Sequence, residues 1–348
     1  MFLAFEVGLA IDVASAARAV QGAGLARLPA ARNPGGLDWS SPPLTLEQDA
    51  PAVEVADHRV VGAVQARVFD FGAVSFAYRI AFRGTADDLA RLSASLAASP
   101  ALLEDGRARA RALLQTLGDA IRRPALASFC EDYLVFALRP DASGAGTLAD
   151  ADLARILRAE PAPLGEQEVR DCVSGSVSYG PGDRAVIDWN AALLVDAESE
   201  ASLDVLEFAN VELLEYRALD AQLDAALAES WRAVTEGAGG SARRRTGHRE
   251  LKRVAALQMD AALLYEEINN ALKLLGDQFL ARLYRAANRR MHLDEWERAT
   301  LRKLETLESI YGKLSDAQAQ RRAELLEWII IMLIGAEIVF SLVQWLRQ

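Results

Sequence analysis

The sequence predicts an α+β fold that gives way to long helices and ends in one membrane-spanning helix. Three observations predict it. Two sets of β-rich runs around turn signals fall before residue 197, sustained three-four apolar repeats follow from Glu198, and an apolar stretch covers Leu325 to Leu346. The expected domains are an α+β cytosolic domain over 1–197, a helical-hairpin or coiled-coil stalk over 198–324, and a transmembrane tail anchor over 325–348.

Phe2 to Gly8 reads as a strand. Asp12 to Val20 reads as a short Ala-rich helix with Asp12 as its N-cap, because a carboxylate there accepts the unpaired amides of the first turn. A Pro/Gly/Ser-rich loop covers Leu28 to Pro51. Val60–Phe69 and Val74–Phe82 are β-rich runs around Asp70-Phe71-Gly72-Ala73, a hairpin signal. Thr85, Asp87 and Asp88 open the next helix, to about Ala98, and Leu103 to Ile121 is a further one.

A similar order returns. Glu131–Leu138 reads as a strand, Leu148–Ala159 as a helix, then Val173–Tyr179 and Arg184–Val195 as two strands around Gly180-Pro181-Gly182-Asp183, with a helix from Glu198. The repeat is either a tandem duplication of a small α+β unit or two unrelated stretches with a common local order. Beyond Glu198, Leu206, Ala209, Leu213, Tyr216, Leu223 and Leu227 keep helical seam spacing, and the seam resumes at Leu251, Val254, Ala261, Tyr265, Ile268, Leu272, Leu275 and Phe279. A third helix carries Leu293, Leu304, Leu307, Tyr311 and Leu314 into the apolar tail. The partner of such a seam is the same chain or another copy.

The tail, LLEWIIIMLIGAEIVFSLVQWL, is long enough to cross a bilayer at about 1.5 Å per residue, and Trp328 and Trp345 bracket it. Its aliphatic and aromatic residues outweigh the roughly 2–3 kcal/mol cost of a central acid, Glu337. Lys313, Arg321 and Arg322 precede it and Arg347 follows, which keeps the bulk of the chain cytoplasmic, as in a bacterial inner-membrane protein. The N-terminus lacks an early Lys or Arg and carries Glu6 and Asp12, which argues against export.

The net charge of −11 is unevenly spread. Residues 1–236 hold 20 Arg against 35 Asp and Glu, whereas residues 237–348 hold 18 Lys and Arg against 14 acids. An acidic body on a basic stalk suits an anionic surface and argues against a general nucleic-acid binder. Cys130 and Cys172 form no paired framework, and His58, His248 and His292 have no metal-ligand spacing, so no metal and no cofactor are expected.

No catalytic motif is present, so the chain is not expected to be an enzyme. The glycine cluster GSVSYGPG, Gly175 to Gly182, lacks the lysine of a phosphate cradle and reads as a turn. Arg243, Arg244, Arg245, Arg249, Lys252 and Arg253 are the candidate phosphate-binding group, toward lipid headgroups or RNA, or else a solvated hairpin tip. Arg282, Arg285, Arg289 and Arg290 form a second basic group at helical spacing, with Asp277 or Glu295 as partners for some of them. In the tail, Glu337, Ser341 and Gln344 share a helix face with Gln348 and are the expected intramembrane contact between copies.

Several stretches resemble one family. AELLEWIIIMLIGAEIVFSL at 323–342 is similar to the tail of the RMD-type ("required for meiotic nuclear division") domain-of-unknown-function family. VIDWNAALLVD, LEFANVELLEYRALDAQLD and the segment from Phe279 to Asp316 resemble its bacterial members, and FDFGAVSF at 69–76 resembles them less specifically. The resemblance implies a membrane-anchored, oligomeric protein without assigned catalysis, with a relative that supports mitochondrial translation. The expected function is a non-enzymatic membrane-anchored scaffold that homo-oligomerises through stalk and span. The alternative is a membrane tether for ribosomes or RNA that uses the basic loop. The expected partners are membrane lipid, other copies of the chain and, in the alternative, ribosome or RNA, with no small-molecule substrate.

Overall fold

The computed structural model describes residues 1–23, 26–27, 42–139, 148–178, 180, 183–196, 199–235, 256–262, 266 and 278–346. The chain divides into two compact units. The first comprises Met1–Asp220 with Asp260–Ala299, and the second Ala221–Met259 with Thr300–Gln348.

The first unit is mixed α/β, built on a nine-stranded sheet. The strands are β1 (Phe2–Glu6), β3 (Ala26–Arg27), β4 (Leu44–Gln48), β7 (Val64–Val68), β8 (Ala73–Ala77), β10 (Glu131–Leu138), β11 (Ser176–Val177), β12 (Arg184–Ile187) and β13 (Ala191–Val195). Their spatial order is β11-β12-β13-β10-β1-β8-β7-β4-β3. Two small ribbons stand apart: β2 (Ala10–Ile11) with β9 (Ile121–Arg122), and β5 (Glu54–Val55) with β6 (His58–Arg59).

Central β1 is buried along almost its whole length, because both faces of the sheet are covered. Leu3 and Phe5 join the core formed with α1 (Val13–Gly22), α2 (Ala86–Ala97), α3 (Pro100–Leu117), α4 (Asp150–Leu157) and α5 (Glu166–Val173). Ala4 points the other way, with Phe69 and Ala73, onto Val211 and Leu214 of α6 (Glu200–Thr235). Alternate residues of one strand thus serve two apolar layers.

Local signals place the helices of the first face. Asp12 caps α1, accepting from the amides of Ala14 at 3.0 Å and Ser15 at 3.3 Å. Thr85 and Asp88 form a reciprocal capping box at the start of α2. Between β7 and β8, Gly72 has φ +106°, and a Cβ there would lie 1.9 Å from the Gly8 carbonyl oxygen, so only glycine fits this turn.

The duplication reading is corrected by topology. In the first half β1 pairs antiparallel with β8, the second strand of its hairpin. In the second half β10 pairs parallel with β13. The halves share a local order and differ in strand sense, so they are not copies of one unit. The expected strand over Arg184–Val195 is also two strands, β12 and β13, folded back on each other at Asp188-Trp189-Asn190. Helix α6 begins as a cover for the sheet: Leu206, Ala209 and Tyr216 of its seam are buried in the first unit.

The expected membrane span is corrected as well. Among the described residues, no helix is long and apolar enough to cross a membrane. The tail belongs to a helix that runs from Leu293 to Leu346, and its described side chains form an apolar run, Trp328 to Ala336, closed at both ends by Glu327 and Glu337. The tail-anchored, single-pass reading and the inner-membrane localisation therefore fall. The intramembrane setting of Glu337, Ser341 and Gln344 falls with them: Glu337 is exposed, and the side chains of Ser341 and Gln344 lie outside the described residues.

Candidate functional site

The candidate site lies in the first unit, where the β12–β13 turn meets α5 and α7 (Gln278–Arg290). It is organised by a fully buried carboxylate, Asp188, at the end of β12. Burying one charge unpaired is prohibitive, so the surroundings must supply cations. Two do. Arg290 of α7 donates through Nη2 to Asp188 Oδ1, and Arg158, the C-cap of α4, places Nε 2.7 Å from Oδ2.

Asp171 of α5 closes the arrangement from the solvent side. It accepts from Arg158 Nη2 at 2.7 Å and from both terminal nitrogens of Arg290 at 3.3 and 3.2 Å. The two arginines and two aspartates thus form a charge-balanced box joining α4, α5, α7 and the hairpin. The hydrogen bonds from Arg290, then its charge and that of Arg158, hold the Asp171 carboxyl below its usual range. Beneath the box, burial foremost and then Asp188 push the Cys172 thiol up to about 12, which makes it a poor nucleophile.

The turn is fixed by its backbone too. The Tyr133 hydroxyl donates to the Asp188 carbonyl at 2.9 Å, the Asp188 amide to Ala191 at 2.8 Å, and Leu134 N–H to the Asn190 carbonyl at 3.2 Å. Gly175, just past α5, lets the chain pass β12 closely: a Cβ there would lie 2.3 Å from the Ile187 carbonyl oxygen. Between these anchors Trp189 stands 54% exposed.

Above the box opens a cavity of about 980 Å³. It is lined by Arg158, Asp171, Ser174 to Ser178, Trp189, Arg282, Arg285, Ala286, Arg289, Arg290 and His292. Five guanidiniums therefore surround one lining carboxylate, in a chain whose net charge is −11. Arg282, Arg285 and Arg289 are exposed along one face of α7. Arg285 bonds only the Ala281 carbonyl of its own helix, and among the described residues Arg282 and Arg289 have no hydrogen-bond or ion-pair partner. His292 ends the wall with φ +58° and its Nδ1 2.7 Å from Glu295 Oε2.

A second set of buried charges sits on the α6 face of the sheet. Arg67 of β7 pairs with Asp204 at 2.5 Å and Glu207 at 2.7 Å. Glu131 pairs with Arg217, and Glu212 accepts from the Tyr284 hydroxyl. Burial raises Glu6 and Glu131 to about 7 and Glu212 to about 8, and burial with the nearby Glu6 raises Glu215 well above the usual glutamate range. None of these carboxylates lines the arginine cavity.

The two basic groups read from sequence fare differently. Arg243, Arg244, Arg245, Arg249, Lys252 and Arg253 lie outside the described residues. The second group is brought together with the glycine-rich segment: Arg282, Arg285, Arg289 and Arg290 line the same cavity as Gly175 and its flanking serines. Arg290 pairs with Asp171 and Asp188, Glu295 with His292, and Asp277 lies outside the described residues. Sequence reasoning missed Asp188, Trp189, Arg158 and Asp171. The available signal was Asp-Trp-Asn between two apolar runs, turn chemistry without glycine or proline.

Residues 1–202 match a family described as Uncharacterized protein MJ0711, N-terminal domain. The uncharacterized protein MJ0711 of Methanocaldococcus jannaschii is 25% identical over 196 residues, which is 55% of this chain and 58% of that protein. The similarity thus spans just over half the length of that relative. The family match covers the positions of Arg158, Asp171, Asp188 and Trp189 and ends before α7. No solved structure matches the chain. Since the matched segment covers more than half of the 348 residues, the protein belongs to the family of the MJ0711 N-terminal domain, a domain of unknown function.

Proposed function

We propose that this protein is a non-enzymatic binding module that holds RNA by its phosphates in the arginine-lined cavity. The observation that carries the reading is the stripe of Arg282, Arg285 and Arg289, exposed on one face of α7 and matched by no carboxylate among the described residues. Guanidiniums stay charged throughout the physiological range and present forked donors to phosphate oxygens. The same property makes them poor proton-transfer groups, and the nearby thiol of Cys172 is pushed away from its reactive form. The lining chemistry favours holding an anion over turning one over. The kinship with bacterial RMD-type proteins stays part of this proposal. It rests mainly on residues 170–348, most of which lie beyond the matched family segment.

Fluorescence anisotropy with a labelled RNA, titrated at several salt concentrations, tests the reading. Each phosphate contact to a single strand contributes about −0.7 to the slope of log K against log salt. Changing Arg282, Arg285 and Arg289 together to Ala is expected to weaken binding and flatten the slope by about 2. Equal affinity and slope in the triple variant would refute the site.

A second reading, a scaffold that self-associates, is favoured by one observation in the second unit. Trp328 to Ile334 are seven consecutive apolar residues, each more than half exposed. Sedimentation equilibrium of the full chain, compared with Ile330→Asp and Leu333→Asp, tests it: a wild-type monomer across micromolar concentrations removes this reading.

A further inference from the structure

We infer that the cavity takes RNA as a single strand, with Trp189 as the platform on which an unpaired base stacks. The inference rests on the proposed phosphate site and adds the form of the ligand. Trp189 is the exposed apolar member of a turn whose backbone is held in place, while Asp188 Oδ2 and Asn190 Oδ1 are buried with no hydrogen-bond partner among the described residues. Asp188 is locked by Arg158 and Arg290, its carbonyl by Tyr133, and the Asn190 carbonyl by Leu134. The turn's backbone is fixed by these bonds, and the indole it carries is 54% exposed at the cavity wall. Trp189 lines the same cavity as the three exposed arginines, so a flat apolar surface and a row of cations meet one ligand.

That pairing of groups selects the ligand. Arginines alone would serve any polyanion. An aromatic platform adds affinity only for a ligand that carries a planar face beside its phosphate, which is a nucleotide. In a duplex the base faces are covered by their neighbours and no side chain reaches them, so an aromatic reader needs an unpaired strand. The geometry suits a short run of strand. Arg282 to Arg289 spans seven residues of helix, about 10 Å, the length of a few consecutive phosphates rather than one. The cavity, about 980 Å³, stands at the upper end of ordinary ligand pockets and is roomy for one nucleotide. A phosphopeptide would satisfy the arginines and leave Trp189 without a partner.

The test uses the full chain and four probes in anisotropy or competition: a ten-nucleotide single-stranded RNA, its duplex, inorganic polyphosphate and AMP. Trp189→Ala and Trp189→Phe are compared with the wild type, with thermal melts to establish folding. The single strand is expected to bind at least tenfold more tightly than the duplex. Trp189→Ala is expected to lose about tenfold on the single strand and nothing on polyphosphate, and Trp189→Phe to keep most of the affinity. Duplex binding equal to single-strand binding would overturn the inference and leave the phosphate site standing. So would an equal loss on polyphosphate in Trp189→Ala, or AMP competing as well as the strand. Binding of neither RNA nor polyphosphate by the wild type would overturn both.

Discussion

Removing the Asp188 carboxylate is the most informative perturbation of the fold at the site. In Asp188→Ala, Arg158 and Arg290 keep their charges but lose the only fully buried anion between them; their side chains are 21% and 15% exposed. Breaking a buried ion pair from one side costs about 3–5 kcal/mol, because the remaining charge is left uncompensated. Asp171 still neutralises part of it, which places the expected loss near the lower end, at about 3 kcal/mol. Asp188→Asn keeps one acceptor and the shape and is expected to cost about 2 kcal/mol. Asp171→Asn is the control: its side chain is 53% exposed, and the expected cost is at most about 1 kcal/mol. Urea unfolding followed by circular dichroism measures all three through the midpoint at constant slope. The reasoning is refuted if Asp188→Ala costs less than about 1 kcal/mol, or if Asp171→Asn costs as much as Asp188→Asn.

Two further outcomes follow from the packing. Glu6, Glu131 and Glu212 have folded-state pKa values raised to about 7, 7 and 8, above the ordinary glutamate value, so the folded chain binds more protons than the unfolded chain from about pH 4.5 to 8. Stability is then fully present at the acidic end and lost as pH rises through 7 to 8. Thermal melts from pH 5 to 8.5 should show a falling Tm and a shallower fall in Glu212→Gln, while a Tm that rises across this window contradicts the assignment. The Met1 amine, lowered by burial to about 5, opposes them across the same window and only reduces the fall, while Asp171 and Asp88, both lowered, act in that opposite sense at more acidic pH. Gly175→Ala forces a methyl to 2.3 Å from the Ile187 carbonyl and is expected to cost about 1–3 kcal/mol in urea unfolding, with a matching loss of RNA affinity as the cavity wall shifts.

Much of the local structure was legible in the sequence because it is set by local chemistry. Asp12, Thr85 with Asp88, and the turn through Gly72 each announce an element boundary by satisfying backbone groups nearby. What escaped was set by distant partners. Helix α5 buries one residue, Cys172, and so carries no apolar stripe. The β12–β13 turn lacks glycine and proline and lies inside an apolar run, so it reads as continuous strand. The parallel pairing of β10 with β13, against the antiparallel pairing of β1 with β8, is a matter of long-range order. The candidate site escaped for the same reason. Arg158, Asp171, Asp188 and Arg290 come from four elements, and each alone reads as an ordinary surface charge. The tail reads as a span because hydropathy summed over Leu325–Leu346 is high, whereas among the described residues no helix is long and apolar enough to cross a membrane.

The most direct test of the account is where RNA touches the chain. Ultraviolet crosslinking of a 4-thiouridine-substituted single-stranded RNA to the full-length protein, followed by mass spectrometry of the linked peptides, reads this without presupposing a variant. The account predicts crosslinks on the peptide of the β12–β13 turn that carries Trp189 and on the Arg282–Arg290 helix, competed away by unlabelled single strand. Crosslinks confined to the peptides of 243–253, or absent from both cavity walls at saturating RNA, would contradict it.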